Sequence, residues 1–251
     1  MVIARVLIDN KECYAEARKD GLYLIEGSCF NIVSIASKPY SGEYRLLPPV
    51  NPSKIVALGA NYRKHASELN LQVNSDPTIF QKPITSLIAE GENIILPACS
   101  TKVDYEAELV IVIAKDCRKV AKDTAYDYIL GYTCANDVSE RVFQKLDGQW
   151  TRAKGFDTFC PLGPYLVTGI DANDLNIKAV RNGETVQESR TSNMIHTIPE
   201  IVSFVSGVMT LKAGDIILTG TPERVGQIVA GDTIQIIIEN VGCLTNKVIS
   251  E

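Results

Sequence analysis

Asp104-Tyr105-Glu106-Ala107-Glu108-Leu109-Val110-Ile111-Val112-Ile113-Ala114 is the stretch whose reading decides the fold. It opens on three carboxylates and runs into the most apolar segment of the chain, so Glu106–Ala114 is expected as one buried strand. Residues two apart in a strand share a face. Asp104, Glu106 and Glu108 should therefore point one way, with Cα atoms stepping by roughly 6.5–7 Å, while Tyr105, Ala107 and Leu109 point the other. Like charges on one face repel, and burial raises the cost further. A hard divalent cation removes both problems, because it prefers oxygen ligands. A solvated polar face on an edge strand would give the same pattern.

Two neighbouring segments carry further polar candidates. Asn136-Asp137 closes an expected strand at Ile129–Cys134. Asp137 is placed either as a helix N-cap or as a third ligand facing Glu106 and Glu108. Upstream, Gly59-Ala60-Asn61-Tyr62-Arg63-Lys64-His65-Ala66-Ser67-Glu68 follows a short strand at Lys54–Leu58, and Tyr62–Leu69 is compatible with a helix. His65 and Glu68, at i and i+3, are neighbours on a helical turn. A carboxylate beside an imidazole fixes its tautomer and raises its basicity, which is the arrangement of a general base with its orienter. The same spacing is common on plain surfaces.

Outward from these segments the chain is strand-rich. Short strands are expected at Ala4–Asp9, Glu12–Arg18 and Gly21–Ile25, and then Leu46-Leu47-Pro48-Pro49-Val50-Asn51-Pro52 forms an extended break. A domain boundary is placed there, with a small β-rich unit at 1–47 and the larger domain at 48–251. Ile94–Leu96 reads as a strand, and Asp123–Tyr128 as a short helix. Ile177–Val180 and Thr185–Glu188 flank Asn182-Gly183, a type I′ hairpin signal. Thr197, Pro199 and Glu200 begin a helix through a Thr-x-x-Glu capping box, with Ile198, Ile201, Val202, Val205 and Val208 at helical spacing. Ala-Gly-Asp at 213–215 and at 230–232 turns the chain into apolar runs at Ile216–Leu218 and Thr233–Ile238. Few helices and no strand–helix alternation argue for an α+β, strand-rich class and against a doubly wound sheet.

The 251 residues carry 25 Lys+Arg and 30 Asp+Glu, a net charge of −5, with 45% hydrophobic and 22% charged residues. This is ordinary globular composition. The mild acidity speaks against nucleic acid or an anionic membrane as the main partner. Two histidines, His65 and His196, cannot build a three-histidine metal site. The seven cysteines include no pair spaced as CxxC, so zinc or redox motifs of that kind are excluded, and an odd, scattered set suits reduced thiols in a cytoplasm. The N-terminus lacks a signal-peptide pattern and no apolar run approaches a membrane span, so a soluble cytoplasmic protein is expected.

Taken in order, six segments resemble the fumarylacetoacetate hydrolase family, and its smaller bacterial-type members most: acylpyruvases, fumarylpyruvate hydrolases, oxaloacetate decarboxylases or tautomerases, and hydroxyhepta-diene-dioate isomerases. They are Gly59–Glu68, Gln81-Lys82-Pro83, Val103–Leu109, Gly131–Ser139, Lys154–Pro161 and Leu218-Thr219-Gly220-Thr221-Pro222. The resemblance runs from about residue 45 to the end. It implies a mixed β-roll catalytic domain behind a small N-terminal domain, usually as a homodimer. It implies Glu106, Glu108 and Asp137 as ligands of Mg²⁺ or Mn²⁺, with Ca²⁺ able to stand in within crystals. It implies a water-activating dyad of His65 and Glu68, and Lys154 close to metal and substrate. Arg141 and Gln144 match positions that hold substrate carboxylate or oxo groups, and Thr221 one that contacts the keto acid. Lys82-Pro83 reads as structural, a wall or a turn.

The implied substrate is a small oxo acid. In a 2,4-dioxo acid the carboxylate and adjacent keto oxygen suit a Lewis-acidic cation, His65 would activate water, and Lys154 would stabilise negative charge. Decarboxylation or tautomerisation, as of oxaloacetate, and isomerisation of a hydroxy-diene-dioate would use the same core. A catalytically silent metal-binding homodimer is the non-enzyme alternative, disfavoured by the intact set of candidates.

The chain also departs from the family pattern. Arg224 stands where a glycine is usual in Gly220-Thr221-Pro222-Glu223-Arg224-Val225-Gly226, so this loop should either avoid positive φ or bring a guanidinium to the mouth of the site. The expectation is a tighter pocket or an added carboxylate contact. Asn193 replaces a usual acidic residue, and no acidic residue follows Arg141. His196, where an aromatic is common, is expected to flank a helix and not to act in catalysis.

Overall fold

The computed structural model describes residues 1–68 and 75–251. Among these residues the chain builds three sheets and only short helices, the α+β, strand-rich architecture expected. The largest sheet has 12 strands. Its centre is Ala107–Ile113, paired antiparallel with Ile129–Asn136 on one side and with Ile216–Leu218 on the other. Ile216–Leu218 pairs in parallel with Ile55–Gly59, so the sheet is mixed. At the far side Val2–Ile8 pairs with Cys160–Val167, which carries the N-terminal strands Lys11–Arg18, Gly21–Ser28 and Asn31–Ile35 onto the same sheet. Arg45–Leu47, just before the proline-rich break, also pairs with Val2–Ile8.

Burial on both faces explains the unbroken apolar run at 109–113. Leu109, Ile111 and Ile113 face a cluster that includes Ile198, Ile201, Val202 and Val205 of the helix Ile198–Val208. Val110 and Val112 face the opposite cluster with Ile55, Ala57, Ile216 and Leu218. All five are fully withdrawn from solvent, each worth about 1.5–3 kcal/mol of transfer free energy. The helix starts as its capping box demands: Glu200 Oε2 accepts from the Thr197 backbone N–H and from its hydroxyl, each at 3.0 Å. Asn182 and Gly183, at φ 52° and 86°, form the turn between Asn176–Arg181 and Glu184–Arg190 with both central residues in positive φ, as type I′ requires.

Three local readings are corrected. Asp123–Tyr128 lies in a 3₁₀ helix spanning Lys122–Tyr128. The helix expected at Tyr62–Leu69 is observed as Arg63–Glu68, and Leu69 lies outside the described residues. The strand expected at Glu106–Ala114 is observed as Ala107–Ile113 in the large sheet, while the residues just upstream, Val103–Tyr105, pair in a three-stranded sheet and Glu106 lies at the crossing. The Glu106 N–H leaves the ladder to donate to Asn136 Oδ1 at 2.9 Å, while its carbonyl accepts from Asp137 N at 2.9 Å. The two candidate ligand segments are thereby locked together at the end of the large sheet.

Candidate metal centre and active site

Glu106, Glu108 and Asp137 converge at that crossing. One carboxylate oxygen from each lies within 4.8 Å of the others, and all three residues are buried. The solvated edge-strand alternative is thus excluded, since Ala107–Ile113 is internal to its sheet. The N-cap alternative for Asp137 is excluded too. Its carboxylate accepts from Lys82 Nζ and Lys154 Nζ, each at 2.7 Å, whereas the helix Arg141–Asp147 is capped by Glu140. Asp104 is drawn away from the triad: its Oδ2 accepts from Arg141 Nε at 2.8 Å, and Arg141 Nη2 donates to Glu106 Oε1 at 2.6 Å.

Charge at this cluster is unevenly compensated. The carboxylates of Asp104, Glu106, Glu108 and Asp137 face the cations of Lys82, Lys154 and Arg141. Burial pushes against ionisation of Glu106, but Lys154 and Arg141 outweigh it and hold its carboxyl well below the usual range. Glu108 forms no ion pair among the described residues. Burial, then Asp137 and Glu106, drive its carboxyl well above the usual range, against the charge of Lys154 and a hydrogen bond from Gly220 N at 2.6 Å. Lys154 is the reverse case: burial opposes its charge, but Asp137 and Glu106 raise its ammonium above the ordinary range, making it a fixed cation and not a base. The residues therefore fit a hard divalent cation. The donors are all carboxylate oxygens, they converge within ligand-sharing distance, and the one of the three that forms no ion pair among the described residues is the one a cation would ionise.

A cleft opens on this cluster. Glu106, Glu108, Lys154, Arg141, Gln144, Thr221 and His65 form its polar lining, and Leu58, Phe80 and Trp150 its apolar wall. The cavity volume is about 20 Å³, room for a water-sized body. His65 is buried, and its Nδ1 lies 3.1 Å from Glu68 Oε2 on the same helical turn. Seven of the nine residues singled out in the sequence thus line one cleft; Asp137 lies beneath it, within the carboxylate triad, and Glu68 sits behind His65.

A family model described as fumarylacetoacetate (FAA) hydrolase C-terminal matches residues 54–249. The chain belongs to the fumarylacetoacetate hydrolase family. Its relatives include a mitochondrial oxaloacetate tautomerase of Rattus norvegicus, 40% identical over 215 residues, covering 81% of this chain and 69% of the relative. A 5-carboxymethyl-2-hydroxymuconate delta-isomerase from Mycobacterium smegmatis superposes with a TM-score of 0.92 at 41% identity, with 100% of both chains covered. Maleylpyruvate hydrolase from Sphingobium, solved with manganese(II) and pyruvate, superposes with a TM-score of 0.83 at 30% identity, covering 100% of this chain and 99% of that one. The family's enzymes thus include hydrolases, isomerases and tautomerases. No helix among the described residues is long and apolar enough to cross a membrane.

Several residues act on this family site in ways the sequence did not show. Lys82, read as part of a wall or turn, is 2% exposed and is an ion-pair partner of Asp137. Asn61 Nδ2 donates to Thr219 O at 2.7 Å, and Gly220, at φ 96°, packs so closely that a Cβ there would stand 2.7 Å from Asn61 Cβ. That clamp presents Gly220 N to Glu108. Gln187 Nε2 donates to Thr221 Oγ1 at 2.9 Å and to Pro222 O at 2.6 Å, while its Oε1 accepts from Ala107 N at 3.1 Å, which fixes Thr221 against the ligand strand. Lys82-Pro83 and Asn61 stood inside matching segments, and their polarity among apolar neighbours was the available signal. Gln187 carried none.

The Arg224 expectation is corrected. Arg224 adopts φ 69°, so the loop does not avoid positive φ. Its side chain is exposed and is not among the described residues lining the cleft. Its backbone N–H does the work instead, donating to Glu68 Oε2 and Oε1 at 3.1 and 3.2 Å. His196 flanks the helix as expected, its backbone N–H donating to Asn61 Oδ1 at 2.8 Å.

Proposed function

We propose that this chain is a divalent-cation-dependent hydrolase that cleaves a C–C bond in a small 2,4-dioxo acid of the acylpyruvate type. The observation that carries the reading is that one cleft is lined both by Glu106 and Glu108 of the buried carboxylate triad and by His65, whose Nδ1 faces Glu68. A hard cation, Mg²⁺ or Mn²⁺, held by Glu106, Glu108 and Asp137 would supply Lewis-acid charge to the oxo-acid oxygens. Arg141 and Gln144, joined by a 2.8 Å hydrogen bond from Nη1 to Oε1, would hold the substrate's carboxylate or oxo groups, with Thr221 beside them. Glu68 keeps the proton of His65 on Nδ1 and leaves Nε2 to take one from water as that water adds to the distal carbonyl. The bond between that carbonyl carbon and the central methylene then breaks, its electrons passing to a pyruvate enolate that takes up a proton. The products are a carboxylate and pyruvate. Lys154, kept cationic, faces the negative charge that develops.

The dyad favours hydrolysis over decarboxylation of a β-keto acid, which needs no attacking water. Oxaloacetate decarboxylation or keto–enol tautomerisation is the second reading, supported by the tautomerase relative. The proposal includes a cytoplasmic homodimer, supported by exposed Ile95 and Ile249, which are neighbours on paired strands.

The test is a panel with Mg²⁺ or Mn²⁺: acetylpyruvate, fumarylpyruvate, oxaloacetate and a hydroxy-diene-dioate, with wild type and His65→Ala. Acylpyruvate hydrolysis should lead, and His65→Ala should lower it by about 10²–10⁴-fold while cation binding persists. Faster turnover of oxaloacetate that is indifferent to His65→Ala would favour the second reading.

A further inference from the structure

The strand Val103–Tyr105 serves both halves of the site, because consecutive side chains leave it on opposite faces. Asp104 and then Glu106 turn toward Arg141 and the triad. Tyr105 turns the other way, and its hydroxyl donates to Arg224 O at 2.9 Å. Arg224 N in turn donates to Glu68, and Glu68 Oε2 meets His65 Nδ1 at 3.1 Å. We infer that Tyr105 is a positioning residue for the dyad, acting through the main chain of Arg224 to set the Glu68 carboxylate against His65. The inference rests on the dyad reading given above.

Two further observations support it. Arg224 is held at φ 69°, a region an L residue enters only under constraint, so the two peptides that flank its Cα both need fixing. The Tyr105 hydroxyl fixes one side and Glu68 the other. Tyr105 also pairs in register with Gly226, where a Cβ would stand 2.9 Å from the hydroxyl. Only a residue without a side chain at 226 lets the hydroxyl reach the loop. A glycine at 224 would find this conformation unstrained, so the arginine makes the chain more dependent on the tyrosine.

The decisive variant is Tyr105→Phe, which removes one oxygen. Three measurements read it: steady-state kinetics, Mn²⁺ affinity by titration calorimetry, and ¹H–¹⁵N spectra of protein labelled at histidine. With two histidines the spectrum holds two imidazoles, separated by His196→Gln. Tyr105→Phe should lower kcat about tenfold, part of the 10²–10⁴-fold a positioned base contributes. It should leave Mn²⁺ affinity unchanged, without the roughly 10–100-fold loss expected of a residue that supports a metal ligand, and should shift the Nδ1–H signal of His65 upfield or lose it to exchange while His196 stays in place. Gly226→Ala should reproduce these changes by displacing the hydroxyl. Wild-type kcat and an unmoved His65 signal in Tyr105→Phe would overturn the inference, as would a parallel loss of Mn²⁺ affinity, which would place the effect on the ligand strand. Should His65→Ala spare hydrolysis, the dyad reading itself fails. A shifted His65 signal in Tyr105→Phe would still support the positioning role.

Discussion

Lys82 Nζ lies 2.7 Å from Asp137 Oδ1, and neither side chain is exposed to solvent. The pair joins the edge strand Thr78–Lys82 to the end of Ile129–Asn136, across 55 positions of sequence. Removing one member of a buried pair leaves an uncompensated charge, which typically costs about 3–5 kcal/mol. Lys154 still faces Asp137 Oδ2 at 2.7 Å, so Lys82→Met should destabilise the protein by up to about that amount in EDTA, read by chemical denaturation. Saturating Mn²⁺ should recover part of the loss, because a bound cation neutralises Asp137 and stabilises the folded state by mass action. Lys82→Met combined with Asp137→Asn should be less destabilised than Lys82→Met alone. A Lys82→Met protein of wild-type stability in EDTA would refute this role for the pair.

The Glu108 carboxyl predicts the pH dependence of cation binding. Burial, Asp137 and Glu106 raise it above its ordinary 4.5. Ligation requires the carboxylate, so cation binding should release a proton wherever the pH lies below the raised folded value, and should tighten as pH rises toward it. Without a cation the raised group acts oppositely on stability. Its contribution is complete below 4.5, its unfolded value, and is lost as pH rises through the folded value. Glu106, depressed by Lys154 and Arg141, contributes above 4.5 and loses that contribution as pH falls. Calorimetry in two buffers of different ionisation enthalpy counts the released proton. Glu108→Gln should abolish the release, and a wild-type protein that released no proton on binding at any pH where it stays folded would refute the assignment.

The candidate metal ligands were legible because alternation on a strand is local: Glu106 and Glu108 needed no knowledge of topology. Strand positions were legible for the same reason, from apolar runs and from Asn182-Gly183. What was not legible depends on distant pairing. Gln187 reaches Ala107 across 80 positions, and Lys82 reaches Asp137 only because Ile55–Gly59 pairs with both Thr78–Lys82 and Ile216–Leu218. The split at Glu106 was hidden because its cause, the Asn136 side chain, lies on the neighbouring strand. The role of Arg224 was hidden because a backbone N–H, not the guanidinium, makes the contact.

The capping box supplies a stability prediction independent of the site. Backbone N–H donation from Thr197, followed by Lys122, depresses Glu200 to about 2. Its contribution is therefore present above 4.5 and lost as pH falls toward 2. Thr197→Ala should cost about 1 kcal/mol at neutral pH without changing kcat. Glu200→Gln should flatten the acid side of the stability curve, monitored by denaturation between pH 3 and 7. An unchanged acid limb in Glu200→Gln would show that the carboxylate is not engaged.

Gly59 sets how closely the apolar wall of the cleft can approach. A Cβ at this position would stand 2.6 Å from both Cη2 and Cζ3 of Trp150, closer than packed atoms allow. The Trp150 ring is also set edge-on to Phe80, with centroids 5.0 Å apart. Phe80 blocks the ring on one side, so Gly59→Ala should displace the indole outward and widen the cleft beside Leu58. Compact oxo acids would then lose wall contact, and substrates with longer apolar tails would gain room. One methylene of fit is worth about 1–3 kcal/mol in discrimination. Gly59→Ala should therefore move the kcat/KM ratio of a long-chain to a short-chain acylpyruvate by about 10-fold or more toward the longer one. Trp150→Ala should move it in the same direction, and a ratio unmoved in both variants would show that this wall does not select substrate length.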